Sequence, residues 1–323
     1  MNLAILRKLY KKYLVFKNKN MFSLFKSINI IKNMTNKTKL SAEISKIFTS
    51  EKIINVKVFN ILGLQVFRYI LAKIAFFFSK FFFQHNEFAK SYENKGFHLI
   101  ENFLSEKNFS RVKKEFSKIF DIEKKARNAY KDSLNLKNSS IDYYLYEFDD
   151  NTVNKKNYPN LYHILKNKNI NDFFRSAEKK KTITLFMRLE RVITKDELKI
   201  DDNAHWHVDT YHNTHKAWIY LTDVKKENGP YNYIVGSNKF SYERLFWEYF
   251  NSINAVFYKN YLSFFFSEKI SKKLEKKKIE LISGKNSFII TNTHGYHRRG
   301  DAKAGHVRDA ISFFTRENPY KLF

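Results

Sequence analysis

The feature that most restricts the fold is a series of short β-type segments in the second half of the chain, separated by turn sequences. Apolar and polar residues alternate in these segments and β-branched residues are frequent, a pattern typical of strands with one buried face. The segments cover residues 182–193, 216–222, 231–235, 286–293 and 306–315. Six of the eight glycines lie between Gly229 and Gly305, so tight turns are concentrated in the same region. We therefore predict a mainly β fold with flanking helices, whose core is a double-stranded β-helix of the jelly-roll, cupin-like kind.

Helical segments are predicted before and within this β region. Residues 96–105 have the pattern of a turn, a short strand and a helix start, and residues 109–129 carry apolar side chains at the spacing of one helical face. We predict loops and short helices over residues 130–180. The aromatic-rich stretch at about 240–280 is predicted to be a helical insert, and it is either a packed helical core or a lid over a pocket.

The first 88 residues differ from the rest, with 16 Lys or Arg against 3 Asp or Glu. Residues 3–16 project as an amphipathic helix with one basic side. Residues 66–83 are apolar but contain three cations, which argues against a membrane-spanning helix. We predict a basic helical extension over residues 1–88 and a β-helix domain over 89–323. The extension has the charge and amphipathicity that suit association with an anionic membrane surface. The alternative is that the extension packs on the domain or is poorly ordered.

Composition limits the function classes. The net charge of +27 permits contact with nucleic acid or an anionic membrane, but Lys, Asn, Ile and Phe are all abundant, which suits a general compositional drift. No nucleic-acid-binding motif is present, so nucleic acid is not favoured as a partner. Cysteine is absent, which excludes disulfides, thiolate metal sites and cysteine nucleophiles. We predict a cytoplasmic protein, peripheral at the membrane if the extension binds lipid.

The motif with the clearest chemistry is His207-Val-Asp209 in a β-forming segment. Residues i and i+2 of a strand point to the same side, so both side chains can bind one atom. An imidazole and a carboxylate are two thirds of the 2-His-1-carboxylate facial triad that holds non-haem Fe(II). His205 shares that face, and it is either a competing ligand or a group that supports the site from behind.

A third ligand and an anion-binding arginine are predicted near the C-terminus. The pattern Gly-Tyr-His297-Arg, together with its spacing to Arg308, favours His297 as the ligand over His294 and His306. In the last predicted strand the side chains of Arg308 and Ser312 share one face, with small residues leaving room for a bidentate carboxylate. The expected set would hold a ferrous ion and a dicarboxylate cosubstrate.

At this point the sequence resembles the phytanoyl-CoA dioxygenase family of Fe(II)- and 2-oxoglutarate-dependent oxygenases, over roughly residues 89–316. The resemblance rests on the order and spacing of several motifs: His207-Val-Asp209, Lys216-Ala-Trp218, Glu227-Asn-Gly-Pro230, Gly236-Ser-Asn-Lys239, Gly295-Tyr-His-Arg298 and Arg308. The family often has Gly-Ser-His-Lys where this chain has Gly-Ser-Asn-Lys, at a position that does not bind iron.

The resemblance implies an Fe(II)/2-oxoglutarate-dependent dioxygenase that uses O2 and releases succinate and CO2 while hydroxylating a small-molecule or lipid-linked substrate. It implies His207, Asp209 and His297 as catalytic metal ligands and Arg308 as the 2-oxoglutarate anchor. Because halogenating relatives lack the carboxylate ligand, Asp209 favours hydroxylation over halogenation. Ser312 is a candidate helper donor to 2-oxoglutarate.

Alternatives remain open beside this interpretation. Trp218 either lines the cofactor pocket or is a core aromatic, and Tyr211 and His212 are candidates to face the substrate. A second function hypothesis is a catalytically inactive jelly-roll binding module, tethered to an anionic membrane surface by residues 1–88.

Overall fold

The computed structural model describes residue 49 and residues 52–54, 56–83, 87–129, 141–148, 156–195, 202–258 and 264–321. In chain order its helices are α1 (Lys57–Ile61), α2 (Leu64–Phe82), α3 (Glu87–Lys95), α4 (Glu106–Ser117), α5 (Pro159–Leu165), α6 (Lys168–Glu178), α7 (Tyr242–Tyr258) and α8 (Glu268–Glu275). Its strands are β1 (Phe97–Ile100), β2 (Arg127–Asn128), β3 (Ile141–Phe148), β4 (Leu185–Thr194), β5 (His207–Val208), β6 (His215–Tyr220), β7 (Tyr231–Tyr233), β8 (Phe264–Phe265), β9 (Ile279–Leu281), β10 (Phe288–Asn292), β11 (His297–Arg299) and β12 (Val307–Thr315).

The chain divides into two compact units. One unit comprises Met1–Leu71 and Ser241–Leu262, and the other comprises 72–240 and 263–323. The predicted domain boundary after residue 88 stays a prediction.

The first unit contains buried polar contacts within and between its helices. On α7 the Arg244 guanidinium donates to Glu248 Oε1 at 2.8 Å, and neither side chain is exposed. Asn60 at the end of α1 donates to the backbone oxygen of Ser252 at 3.1 Å. Because a buried charge or amide is stable only when hydrogen-bonded, these contacts restrict how the helices pack.

The second unit is built on two antiparallel sheets. The larger has seven strands in the order β1-β10-β6-β12-β4-β3-β2, and the smaller has five in the order β8-β5-β11-β7-β9. Apolar side chains of both sheets meet in one cluster that includes Tyr220 and Ile289 from the larger sheet and Tyr231, Tyr233 and Leu281 from the smaller. Two antiparallel sheets packed over a shared core, with strands from distant parts of the chain as neighbours, form the predicted double-stranded β-helix, so the fold class is confirmed.

Helices cover the other face of the larger sheet. Side chains on α4, α5 and α6 pack with that face, where Ala217 and Ile219 of β6 are fully buried. Alternation along β6 therefore separates two environments, because Trp218 and Tyr220 point to the opposite side, between the sheets. The larger sheet carries an apolar helical layer behind it and a site in front of it.

The secondary structure differs from the prediction in the insert at about 240–280, where the short strand β8 lies between α7 and α8, and in two further details. The helix predicted over residues 109–129 begins after Ser105, whose side chain accepts from the Asn108 backbone N–H, and it ends at Ile122 after a π-helical turn. The second detail is β3, which lies in the stretch predicted as loops and short helices. It contains Ile141, Leu145 and three tyrosines, residue types that are favourable in a strand, and β3 pairs with β4 along its whole length.

Of the two N-terminal segments with predictions, the structure describes the second. The amphipathic helix predicted over residues 3–16 lies outside the described residues. The apolar stretch over 66–83 falls in α2. In the described part of the chain, no helix combines the length and apolarity needed to cross a membrane.

Candidate functional site

Two histidines and one aspartate meet between the sheets. His207 on β5 and His297 on β11 are direct cross-strand partners, and Asp209 lies just beyond the end of β5. Asp209 Oδ1 is 3.7 Å from Nε2 of His207 and 3.7 Å from Nε2 of His297, and the three ligand atoms lie within 4.8 Å of one another. Two donors that bind one ion at about 2.1 Å stand at most about 4.2 Å apart, so both carboxylate–imidazole pairs are within that limit.

Backbone carbonyls orient both imidazoles. Nδ1 of His207 is 2.7 Å from the carbonyl oxygen of His205, and Nδ1 of His297 is 2.9 Å from that of Gly295. A carbonyl oxygen only accepts, so each Nδ1 carries the proton and donates, and each Nε2 presents its lone pair to the shared point. Burial, together with the neighbouring His297, lowers the pKa of His207 to about 3, which keeps this imidazole neutral at physiological pH.

The second carboxylate oxygen of Asp209 has a different partner. Lys216 Nζ lies 2.7 Å from Asp209 Oδ2, while Oδ1 faces the imidazoles. The Asp209 backbone N–H donates to the carbonyl oxygen of Thr293 at 3.1 Å, which fixes the chain directly after β5. The carboxylate is therefore held so that one oxygen is directed to the candidate metal position.

The competing histidines lie elsewhere. The His205 side chain is exposed and is not a ligand, and the backbone oxygen of this residue accepts from His207. His294 is buried and its Nδ1 lies 3.0 Å from the Thr210 carbonyl oxygen, and His306 Nδ1 bonds Asn228 at 3.2 Å. None of the three is in the group of potential metal ligands found among the described residues.

Gly295 is required by close packing next to the site. A Cβ atom added there would overlap the Tyr233 hydroxyl, which donates to the Asn292 carbonyl oxygen at 3.0 Å. Since the Gly295 carbonyl oxygen also accepts from His297, the glycine couples a tight turn to the orientation of one imidazole. This accounts for the glycine in the Gly-Tyr-His-Arg motif.

Arg308 lines the same cavity as the three potential ligands. Its Nη1 donates to the carbonyl oxygen of Gly229, in the Asn-Gly-Pro turn. Gly229 has φ +68°, a left-handed conformation that favours glycine, so the turn presents its carbonyl to the guanidinium without strain. The structure thus brings the predicted anion-binding arginine to one cavity, of about 160 Å³, with the His and Asp side chains.

Ser312 and Trp218 also line this cavity, as direct neighbours on β12 and β6. Ser312 Oγ donates to Glu190 Oε1 at 2.5 Å. The Trp218 ring contacts that of Tyr231, with centroids 5.3 Å apart. By contrast, the predicted substrate-facing pair, Tyr211 and His212, is not among the residues of this cavity.

Four further cavity residues are absent from the sequence prediction: Tyr143, Arg188, Glu190 and Arg299. Tyr143 hydrogen-bonds Glu190, and burial and that carboxylate raise the pKa of Tyr143 well above its usual value. Alternation in β4 and β11 places Arg188, Glu190 and Arg299 on inward faces, and that period-two signal could have found them. Tyr143 had no such signal, because its strand was not predicted.

Comparison with known proteins identifies one family. Residues 92–282, more than half of the chain, match the family described as phytanoyl-CoA dioxygenase (PhyH). The match includes His207 and Asp209 and ends before His297 and Arg308. No curated protein matches the chain significantly.

Solved structures with a similar fold were also found. HygX from Streptomyces hygroscopicus, with nickel and 2-oxoglutarate bound, is 14% identical, covers 72% of this chain and 86% of its own, and has a TM-score of 0.46. The epimerase SnoN, in complex with Fe3+, alpha ketoglutarate and nogalamycin RO, is 13% identical over 71% of this chain and 81% of its own, with a TM-score of 0.47. EctD from S. alaskensis, in its apoform, is 12% identical over 72% and 76% respectively, with a TM-score of 0.47.

Proposed function

The chain belongs to the phytanoyl-CoA dioxygenase family, and from this premise we propose that it is an Fe(II)- and 2-oxoglutarate-dependent dioxygenase that hydroxylates a small-molecule or lipid-linked substrate. The observation that carries the proposal is the convergence of His207, Asp209 and His297 from separate parts of the chain, with both Nε2 atoms and one carboxylate oxygen directed to one point. This donor set is the facial triad of non-haem Fe(II) enzymes.

The donor chemistry fits a divalent ion. Both imidazoles are held as the tautomer that binds through Nε2. Lys216 forms an ion pair with the second oxygen of Asp209. This pair favours binding of the ion by Asp209 through Oδ1 alone, which leaves other coordination positions on the ion open. With 2-oxoglutarate and O2, iron at this site would supply oxidative decarboxylation to succinate and CO2, coupled to insertion of the second oxygen atom into a substrate C–H bond.

The chain's own residues would position the cosubstrate and exclude water. Arg308, oriented by the Gly229 carbonyl, is suited to a bidentate contact with the distal carboxylate of 2-oxoglutarate. In the same cavity Ser312 and its partner Glu190 supply further polar groups, and Trp218 supplies an apolar wall. Aromatic and aliphatic side chains around the cavity lower its water content, which strengthens each polar contact inside it.

A metal-binding and turnover experiment on the full chain tests the proposal. We expect wild type to bind Ni(II) or Mn(II) and, with Fe(II), to convert 2-oxoglutarate to succinate. His207→Ala should lower metal affinity by more than about 100-fold, since loss of even a group behind a ligand costs about 10–100-fold. His205→Ala is the matched control, and it should bind metal like wild type because the substitution keeps the backbone carbonyl that accepts from His207.

Absence of metal binding by wild type, combined with no succinate from any member of a substrate panel, would refute the proposal. Equal metal affinities for His207→Ala and wild type would refute the assignment of the ligands.

A further inference from the structure

The charge of the cavity exceeds what the proposed cofactors require. Among the described residues, those that line it include four cations, Arg188, Lys216, Arg299 and Arg308, and two carboxylates, Glu190 and Asp209. A ferrous ion and a 2-oxoglutarate dianion carry opposite charges of equal size, so their binding leaves this balance unchanged. On this count the lining of the loaded cavity keeps more cations than carboxylates in a partly desolvated space, where an anion is the favoured occupant.

The excess charge is located away from the predicted 2-oxoglutarate anchor. In the larger sheet Arg188 of β4 is the direct partner of Ser312, and Lys216 of β6 is the direct partner of Phe314. Since a strand rises about 3.4 Å per residue, these positions lie roughly 14–20 Å along β12 from Arg308. A five-carbon dicarboxylate anchored at Arg308 does not reach them both, so they are suited to a different ligand.

Lys216 places this end of the cavity beside the candidate metal position. Its ammonium group is 2.7 Å from Asp209 Oδ2, the oxygen that does not face the imidazoles. The end of the cavity that contains Lys216 is therefore adjacent to the metal ligands. A substrate that occupies this end has carbon atoms near the metal.

The hydrogen-bonding capacity of Arg188 is only partly satisfied. Its guanidinium lies over the Phe314 ring at 4.3 Å. Its Nη2 pairs with Glu147 at 3.0 Å, but the Glu147 side chain is 54% exposed, and such ion pairs contribute little. Within the described residues its Nε is buried and has no hydrogen-bond partner. An oxyanion that accepts from Nε and Nη2 together would satisfy the buried donor and replace a weak partner.

We infer that the substrate carries an oxyanion group, a carboxylate or a phosphate, that Arg188 binds with electrostatic support from Lys216. This inference rests on the proposed function and adds the substrate class to it. The acidic group binds the protein and does not react, while oxygen is inserted at a C–H bond nearer the metal. Arg188 is thus a specificity-determining residue for anionic over neutral substrates.

Calorimetry on the full chain loaded with Ni(II) and saturating 2-oxoglutarate tests this inference. The probes are inorganic phosphate, hexanoate and the neutral analogue hexanamide. We expect phosphate or hexanoate to bind at least about tenfold more tightly than hexanamide, and Arg188→Gln to weaken that anion about 10–100-fold, with partial recovery in Arg188→Lys. The affinities for Ni(II) and 2-oxoglutarate should change less than about twofold. Whichever anion binds more tightly identifies the oxyanion.

Arg316→Gln is the matched control. Arg316 lies over the same Phe314 ring, at 5.5 Å, but it is not among the residues that line the cavity. This variant should bind the anions like wild type.

The inference is overturned, with the proposed function left intact, if hexanamide binds as tightly as the anions or if Arg188→Gln binds the anions like wild type. Binding of no probe to the loaded wild-type protein also overturns it. Failure of the proposed function is detected in the loading step of the same experiment. If Ni(II) and 2-oxoglutarate give no heat of binding, the proposed cofactor site is refuted before any probe is added.

Discussion

Acid should destabilise this protein through two buried imidazoles, those of His207 and His215. Burial lowers the pKa of His207 to about 3, with the nearby His297 as the second cause. Burial, followed by the positive charge of Lys179, lowers the pKa of His215 to about 3 as well. In the unfolded chain a histidine has a pKa of about 6.5. Between these values the unfolded chain binds protons that the native protein does not.

The sign and size of the effect follow from this linkage. A lowered histidine pKa contributes stability that is present above pH 6.5 and is lost as the pH falls. From pH 7 to pH 5 the loss is about 2 kcal/mol for each histidine. Glu178 acts in the opposite direction, because burial raises its pKa to about 7, and its contribution is lost as the pH rises through that value. It offsets about 2 kcal/mol over the same range, which leaves a net loss of about 2 kcal/mol for wild type.

Urea unfolding of the metal-free full chain at pH 7 and pH 5 measures this difference. The variant His215→Phe removes one titrating imidazole, so its free energy of unfolding should be almost equal at the two pH values. Its stability should be lower than that of wild type at pH 7, because the Tyr92 hydroxyl, 2.7 Å from His215 Nδ1, loses its partner. His205→Phe, at an exposed histidine, should keep the pH dependence of wild type. A fall in His215→Phe as large as the fall in wild type would refute the reasoning.

Three further predictions concern the site and the sheet that carries it. Arg308→Lys should raise the Kd for 2-oxoglutarate about 10–100-fold in the Mn(II)-loaded protein, measured by calorimetry, because an ammonium group does not form the bidentate contact. Gly295→Ala should lower the free energy of unfolding by about 1–3 kcal/mol and weaken metal binding, since the new methyl group overlaps a tyrosine hydroxyl. Gly284→Ala, where the nearest atom is 3.9 Å from an added Cβ, should stay within about 0.5 kcal/mol of wild type. Asp309→Asn should cost about 2–3 kcal/mol in urea unfolding, because Arg191 donates to both oxygens of this carboxylate at 2.7 and 2.8 Å between adjacent strands.

Sequence patterns alone were sufficient for the β-rich fold class and for most of the strands. An alternation of apolar and polar residues records which side of a strand is buried, and turn residues mark where a strand ends, so β4, β6, β10 and β12 were predictable locally. The same period placed His207 and Asp209 on one side of the chain and Arg308 and Ser312 on one face of the last strand. Local geometry also determined that Gly229 suits a left-handed turn.

The tertiary structure decided which groups meet, because pairing between strands far apart in sequence is not encoded in any single segment. Spacing favoured His297 over His294 and His306, but only the register of β11 against β5 brings its imidazole opposite His207. The same pairing explains why β3, with its run of tyrosines, is a strand, since its long partner β4 satisfies its backbone groups. Lys216 and Arg188 gained a functional interpretation only when the larger sheet placed them beside Asp209 and Phe314. Charge balance in a cavity is a property of the assembled sheets, and no stretch of sequence contains it.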